Sequence, residues 1–253
     1  MNSKIDKAAI MCIDARMNVI ADRLNDGKTL FIRTAAGNPY GASSTLSSII
    51  PTFQIKQIFY IPHTDCGACK FTHNLLLNNE KTTHEIEKNL VSTIRPYAKE
   101  NYTNAYSSPA ELEIKFQELG TQFLRKQYPM VDVQTRIEDT NTYITGEKTL
   151  LLLRPSKLSY NEITTSLKLP INSTYVSQHT NFIESMCDIQ LSLSVLHIKN
   201  IVVATIGNNE SSKIFDEIGI IKKELVNQEI NFNSVNIDID NITVDKANPK
   251  LMI

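Results

Sequence analysis

The sequence predicts an α/β fold, a mostly parallel central sheet flanked by helices. Three observations predict it. Short apolar runs of strand length alternate with stretches of helical periodicity, polar or Gly-containing turns follow the runs, and one strand-and-helix pattern recurs later in the chain.

Taken in order, Ala8 to Ile13 reads as a buried strand and Thr29 to Arg33 as a second. Ser43 to Phe53 places Leu46, Ile49, Ile50 and Phe53 at helical spacing, and Gln57 to Ile61 reads as a third strand. Helices are predicted over Thr83 to Glu100 and Pro109 to Lys126, followed by a strand within Met130 to Ile144 that carries Val131, Val133 and Ile137. Thr149 to Leu153 is a further buried strand, and Val235 to Ile239 a late one. Cys187 falls in an apolar helical pattern with Phe182, Met186 and Leu191, which assigns it to packing.

The recurrence lies at an offset of 143 residues, which carries Gln54–Tyr60 onto His197–Val203. Leu46, Ile50 and Phe53 then fall on Ile189, Leu193 and Leu196, so the apolar helix face ahead of the strand recurs too. This pattern predicts two copies of one α/β unit joined near Gly146, residues 1–145 and 146–253. At the same offset His63 falls on Ile206 and Cys66 on Asn209. Any metal site built on His63 and Cys66 therefore belongs to the first unit alone.

Composition bounds the function. Hydrophobic residues make up 42% and charged residues 21% of the 253, as in ordinary folded domains. Lys plus Arg, 26, nearly equals Asp plus Glu, 27, which leaves no basic field for nucleic acid. The apolar stretch after Lys4 and Lys7 is too short for a signal peptide, and no run approaches the roughly 18 apolar residues of a membrane span. The expectation is a cytoplasmic protein with no membrane partner. The chain has four cysteines, Cys12, Cys66, Cys69 and Cys187, and in that compartment clustered cysteines more often serve metal binding or catalysis than disulfides.

The chemistry gathers at two strand ends. Cys12-Ile13-Asp14-Ala15-Arg16 closes the first strand, and extended alternation would put Cys12, Asp14 and Arg16 on one side. His63-Thr64-Asp65-Cys66-Gly67 follows the third strand, with Thr64 or Asp65 available to cap a helix beginning there. In parallel sheets, functional groups collect beyond the carboxyl ends of strands. Two thiolates and an imidazole suit zinc, and three protein ligands leave one tetrahedral position for water or substrate. Each residue also has a plainer role: Cys12 as a packed apolar group, Asp14 and Arg16 as a strand-end ion pair, His63 as a turn partner.

Cys-x-Asp-x-Arg, then Arg33-Thr34-Ala35-Ala36-Gly37, then His-x-x-Cys-Gly resembles the signature series of the β-class carbonic anhydrases. The resemblance covers about Ala8 to Phe71; the family often has Asn where this chain has Thr34 and Gly where it has Ala36. It implies a zinc enzyme, with Cys12, His63 and Cys66 as metal ligands, that hydrates carbon dioxide reversibly to bicarbonate. Asp14 would accept a hydrogen bond from the attacking water or hydroxide, Arg16 would keep Asp14 ionised, and Gly67 would offer backbone N–H groups to substrate. It further implies that the two units form a pseudo-dimer, the second serving as scaffold and pocket wall, and that chains can pair into a homo-oligomer.

Two other outcomes stay open: hydrolysis of carbonyl sulfide or carbon disulfide, and a noncatalytic scaffold closed as Cys3His by Cys69. A redox role for the Cys66-x-x-Cys69 pair ranks below both. His73 and His84 read as exposed helix residues, so no proton shuttle is named.

Overall fold

The computed structural model describes residues 4–78, 108–140, 149–170, 173–196, 198–206, 211–224, 230–238 and 243–245. The first sheet runs in the order β2-β1-β3-β4, all parallel, from Lys7–Cys12 (β1), Thr29–Thr34 (β2), Gln57–Ile61 (β3) and Asp132–Thr135 (β4). Helices Asn18–Leu24 (α1), Ser43–Phe53 (α2), Gly67–Asn78 (α3) and Pro109–Gln127 (α4) accompany it. The second sheet is built from Thr149–Leu153 (β5), Thr174–Ser177 (β6), Asn200–Ile206 (β7), Asn231–Asp238 (β8) and Thr243–Asp245 (β9). Its order is β6-β5-β7-β8-β9, parallel except for the last pair. Its helices are Tyr160–Leu167 (α5), Phe182–Leu196 (α6) and Ser211–Glu224 (α7). The parallel strands are thus divided between two sheets whose first four strands follow the same order.

After their first residues, Lys7 and Thr149, both central strands are apolar because both of their faces are covered. On β1, Ala9 and Met11 enter a core shared with the second sheet, while Ala8 and Ile10 enter one under α2 and α4 with Leu46, Ile58 and Leu124. On β5, Leu150 and Leu152 join the shared core, and Leu151 and Leu153 face Tyr160 and Ile163 of α5. Period-2 alternation between two buried faces is the signature of parallel strands under helices. The edges meet where the Phe31 N–H donates to Ser156 O at 3.0 Å and the Arg33 N–H to Ser177 Oγ at 2.7 Å.

The fourth strand is shorter than the sequence suggests. It lies at the sheet edge, Met130 and Ile137 are exposed, and only four residues pair with β3. Beyond it the chain keeps alongside the end of β3 through Glu138 N to Pro62 O, 3.0 Å, and Thr64 N to Glu138 O, 2.9 Å. α5 and β6 are additions to the sequence reading. The helix is announced by a capping box, Ser159 accepting from Glu162 N while the Glu162 carboxylate accepts from Ser159 N. The expected helix Thr83–Glu100 and the junction near Gly146 lie outside the described residues. Among the described residues no helix is long and apolar enough to cross a membrane.

Candidate metal centre

Extended backbone stops at Cys12, and the next residues fold back. Asp14 starts a short 3-10 turn, Ala15–Met17, by accepting the Arg16 N–H at 2.9 Å. Arg16 therefore reaches Asp14 around a turn, not along an alternating strand as expected. Its Nη2 donates to Asp14 Oδ2 at 2.6 Å and its Nε to both carboxylate oxygens at 3.0 and 3.1 Å. Arg16 Nη1 continues to Asp65 Oδ2 at 3.2 Å and Thr140 O at 2.8 Å, and Nη2 to Asp65 O at 2.9 Å. One guanidinium thus ties the end of β1 to the loop after β3. Asp65 holds a left-handed φ of 56° there and also pairs with Lys70.

Cys12, His63 and Cys66 come together: their ligand atoms lie within 4.8 Å of one another, and all three residues are buried. The two Sγ atoms are 3.9 Å apart. His63 Nδ1 is shared between Thr64 O at 2.8 Å and Thr140 Oγ1 at 3.0 Å. Because Thr64 O can only accept, Nδ1 carries the proton, and in the neutral ring the lone pair is then on Nε2. That atom is buried and has no partner. A buried imidazole nitrogen without a hydrogen bond is costly, and a metal ion removes that cost. Donor chemistry and the orphaned atom agree: the three residues fit zinc. Cys69, buried one turn along α3, stands outside the group.

The electrostatics fit a site that exchanges protons for metal. Burial pushes the Cys12 thiol well above its ordinary range. The Cys12 contact favours the Cys66 thiolate, but Cys69 and burial together outweigh it and push Cys66 up as well. Burial works to raise the Asp14 carboxyl, but the Arg16 hydrogen bonds and nearby His63 hold it below the usual carboxylate range. Asp14 in turn raises Arg16. The pair stays ionised.

Fully buried Arg33 braces the same turn: Nε donates to Cys12 O at 2.7 Å, Nη2 to Asp14 O at 2.9 Å, and Nη1 to Asn18 Oδ1 at 2.8 Å. The tight segment after β2 packs on it from the other side. A Cβ on Gly37, φ +65°, would sit 3.4 Å from Cys12 N. Ala36, where the resembled family often has Gly, takes φ 57°.

A cleft opens beside the group, lined by Cys12, Ile13, Asp14, Gly67 and Ala68 together with Leu191 and Ser192 of α6. It leaves about 20 Å³ for the centres of water-sized molecules, where roughly 10–15 Å³ holds one water. The structure places Gly67 at this cleft. It also shows what sequence reasoning missed: Thr140, Glu113, Leu191 and Ser192. Thr64 and Asp65 are engaged elsewhere, and the Cys66 N–H instead donates to Glu113 Oε1 at 2.7 Å. His73, expected to be exposed, is buried in α3, and His84 lies outside the described residues.

By strand register, Arg154 stands in the second sheet where Cys12 stands in the first, and Ile206 where His63 stands. Neither is a thiol or an imidazole.

No known protein family matches the chain, and no curated protein matches it. Among solved structures it is similar to a carbonic anhydrase from Glaciozyma antarctica, with 21% identity over 54% of this chain and 77% of that one and a TM-score of 0.34. It is also similar to the β-carbonic anhydrase CcaA, with 20% identity over 54% of this chain and 70% of that one and a TM-score of 0.39.

Proposed function

We propose that this chain is a zinc enzyme that hydrates carbon dioxide reversibly to bicarbonate, releasing one proton per turnover. The observation that carries the reading is the buried Cys12–His63–Cys66 group, its His63 Nε2 unpartnered, next to an ionised Asp14 and a cleft of water-molecule dimensions. Zinc held by these three residues supplies Lewis acidity, which makes water a nucleophile near neutral pH.

The remaining work falls to the protein. Asp14 presents an acceptor oxygen at the rim of the cleft and orients the attacking O–H, so that the oxygen lone pair faces the substrate carbon. Arg16 occupies the other side of the Asp14 carboxylate, which keeps it ionised and keeps it from swinging onto the metal. The Gly67 backbone, free of a side chain, lets a small linear molecule approach the ligand turn. Leu191 and Ser192 close the far wall, so that one cleft draws on residues from 1–145 and from 146–253. In this reading the two segments are copies of one unit, and the second has given up metal binding to become wall and scaffold.

Stopped-flow carbon dioxide hydration by zinc-loaded protein tests the proposal. Wild type is expected to be active, and Asp14→Ala to lose ~100-fold in kcat/KM with zinc content intact, the scale on which misorientation acts. Absence of zinc-dependent hydration, or activity indifferent to Asp14→Ala, would overturn it. Competition with carbonyl sulfide and carbon disulfide ranks the substrates.

A further inference from the structure

We propose that Glu113 is a positioning residue of the metal centre that acts through Cys66; the proposal rests on the zinc-site reading above. Each of the other two ligands has a dedicated partner. Arg33 Nε fixes the carbonyl of Cys12 at 2.7 Å, and Thr140 Oγ1 with Thr64 O fixes the ring of His63. Cys66 sits at the entry of α3, where backbone N–H groups have no partner within the helix. The neighbours that ordinarily satisfy such a donor are occupied. Thr64 Oγ1 donates to Asp139, the Asp65 carboxylate holds Arg16 and Lys70, and the Nδ1 of His63, three residues before Cys66, is taken by Thr64 O and Thr140 Oγ1.

Glu113 fills the gap from α4, 47 residues along the chain, with its Oε1 2.7 Å from Cys66 N. It is only 7% exposed and stands between Leu112 and Phe116 of the shared core. A carboxylate buried among apolar side chains is expensive, and packing alone gives no reason for it. The bond it makes gives one. Fixing the Cys66 amide fixes the Cα–Cβ vector that aims Sγ at Cys12 and His63. Outer partners of metal ligands typically set affinity by ~10–100-fold.

The test uses the full chain with Co2+ as the spectroscopic probe and zinc affinity measured against a competing chelator. Glu113→Gln keeps an acceptor oxygen at the same reach and is expected to bind like wild type. Glu113→Leu keeps bulk but not the acceptor, and is expected to lose ~10–100-fold in zinc affinity and to weaken the thiolate-to-cobalt absorption. Glu113→Asp keeps the charge but falls one methylene short. It should bind more weakly than Gln, and that order decides the matter if the Leu variant does not fold. Asp equal to Gln, or Leu with the affinity and cobalt spectrum of wild type, would overturn the Glu113 proposal alone. A wild-type chain that takes up no cobalt or zinc would overturn the metal-site reading with it.

Discussion

Thr140 shows how single contacts decide this centre. Its hydroxyl accepts from His63 Nδ1, and its carbonyl takes Arg16 Nη1, so one residue orients a ligand and anchors the ion pair. Thr140→Val removes the hydroxyl and keeps the shape. Zinc affinity is expected to fall ~10-fold, read by chelator competition, while the Arg16 contact to the backbone survives. Proton linkage follows from the thiols. With Cys12 raised by burial and Cys66 by Cys69 and burial, metal uptake at neutral pH must expel both thiol protons, so affinity falls as pH falls. Calorimetry in buffers of different ionisation enthalpy reads the protons released; a release of none would contradict thiolate ligation.

None of these partners was legible in the chain. Cys12, Asp14, Arg16, His63 and Cys66 could be read because they lie in two short segments at strand ends. Thr140 and Glu113 stand 77 and 47 residues from the ligands they hold, in stretches whose local pattern speaks only of a strand edge and an amphipathic helix.

Elements pack here with little slack, and α4 is the clearest case. A Cβ on Gly120 would meet Tyr60 Oη at 2.6 Å and Cζ at 2.7 Å, with Tyr60 itself fully buried. Gly120→Ala gains helix propensity worth ~1 kcal/mol. It forces Tyr60 out of position, and overpacking of this kind costs ~1–3 kcal/mol. The expected result is a net loss of stability in denaturant unfolding, the reverse of what an exposed helix would show. Where elements were legible, apolar runs made them so: α2 matches its expected span, and β5 is the Leu150–Leu153 run with Thr149. The Thr174–Ser177 strand carries no apolar run, since three of its four residues, Thr174, Tyr175 and Ser177, bear hydroxyls that only its tertiary setting buries. α5 is marked in the chain by its capping box, Ser159 with Glu162 three residues on.

α6 contributes a contact of another kind. Asp188 accepts the Ala35 N–H at 2.8 Å and faces His179 Nε2 at 3.3 Å, and burial raises its carboxyl above the ordinary range. A raised carboxyl pKa means stability that is present below the unfolded value and lost as pH rises through the folded one. Asp188→Asn keeps an acceptor for Ala35. It is therefore expected to be more stable than wild type at neutral pH, the difference vanishing below about pH 4, as read by unfolding at both pH values.

At the scale of the molecule, the two sheets share one core. Met11, Phe31 and Phe116 pack in the same core as Leu150, Val176 and Ile189. The cleft draws its far wall from Leu191 and Ser192, so a change there tests the wall without touching a ligand. Leu191→Phe is expected to lower kcat/KM for carbon dioxide at least 10-fold, the scale of one hydrophobic pocket contact, with zinc stoichiometry unchanged. Loss of zinc in that variant would place Leu191 in the support of the site rather than in its wall.

The meeting of β2 with the second sheet has a consequence for dilution. Because Phe31 and Arg33 bond to Ser156 and Ser177 of the same polypeptide, both walls of the cleft are present at a concentration fixed by the fold. Formation of the cleft then calls for no second chain. At a buffered free zinc concentration, metal occupancy and turnover per chain should hold constant on dilution down to nanomolar protein, where a cleft shared between separate chains would come apart.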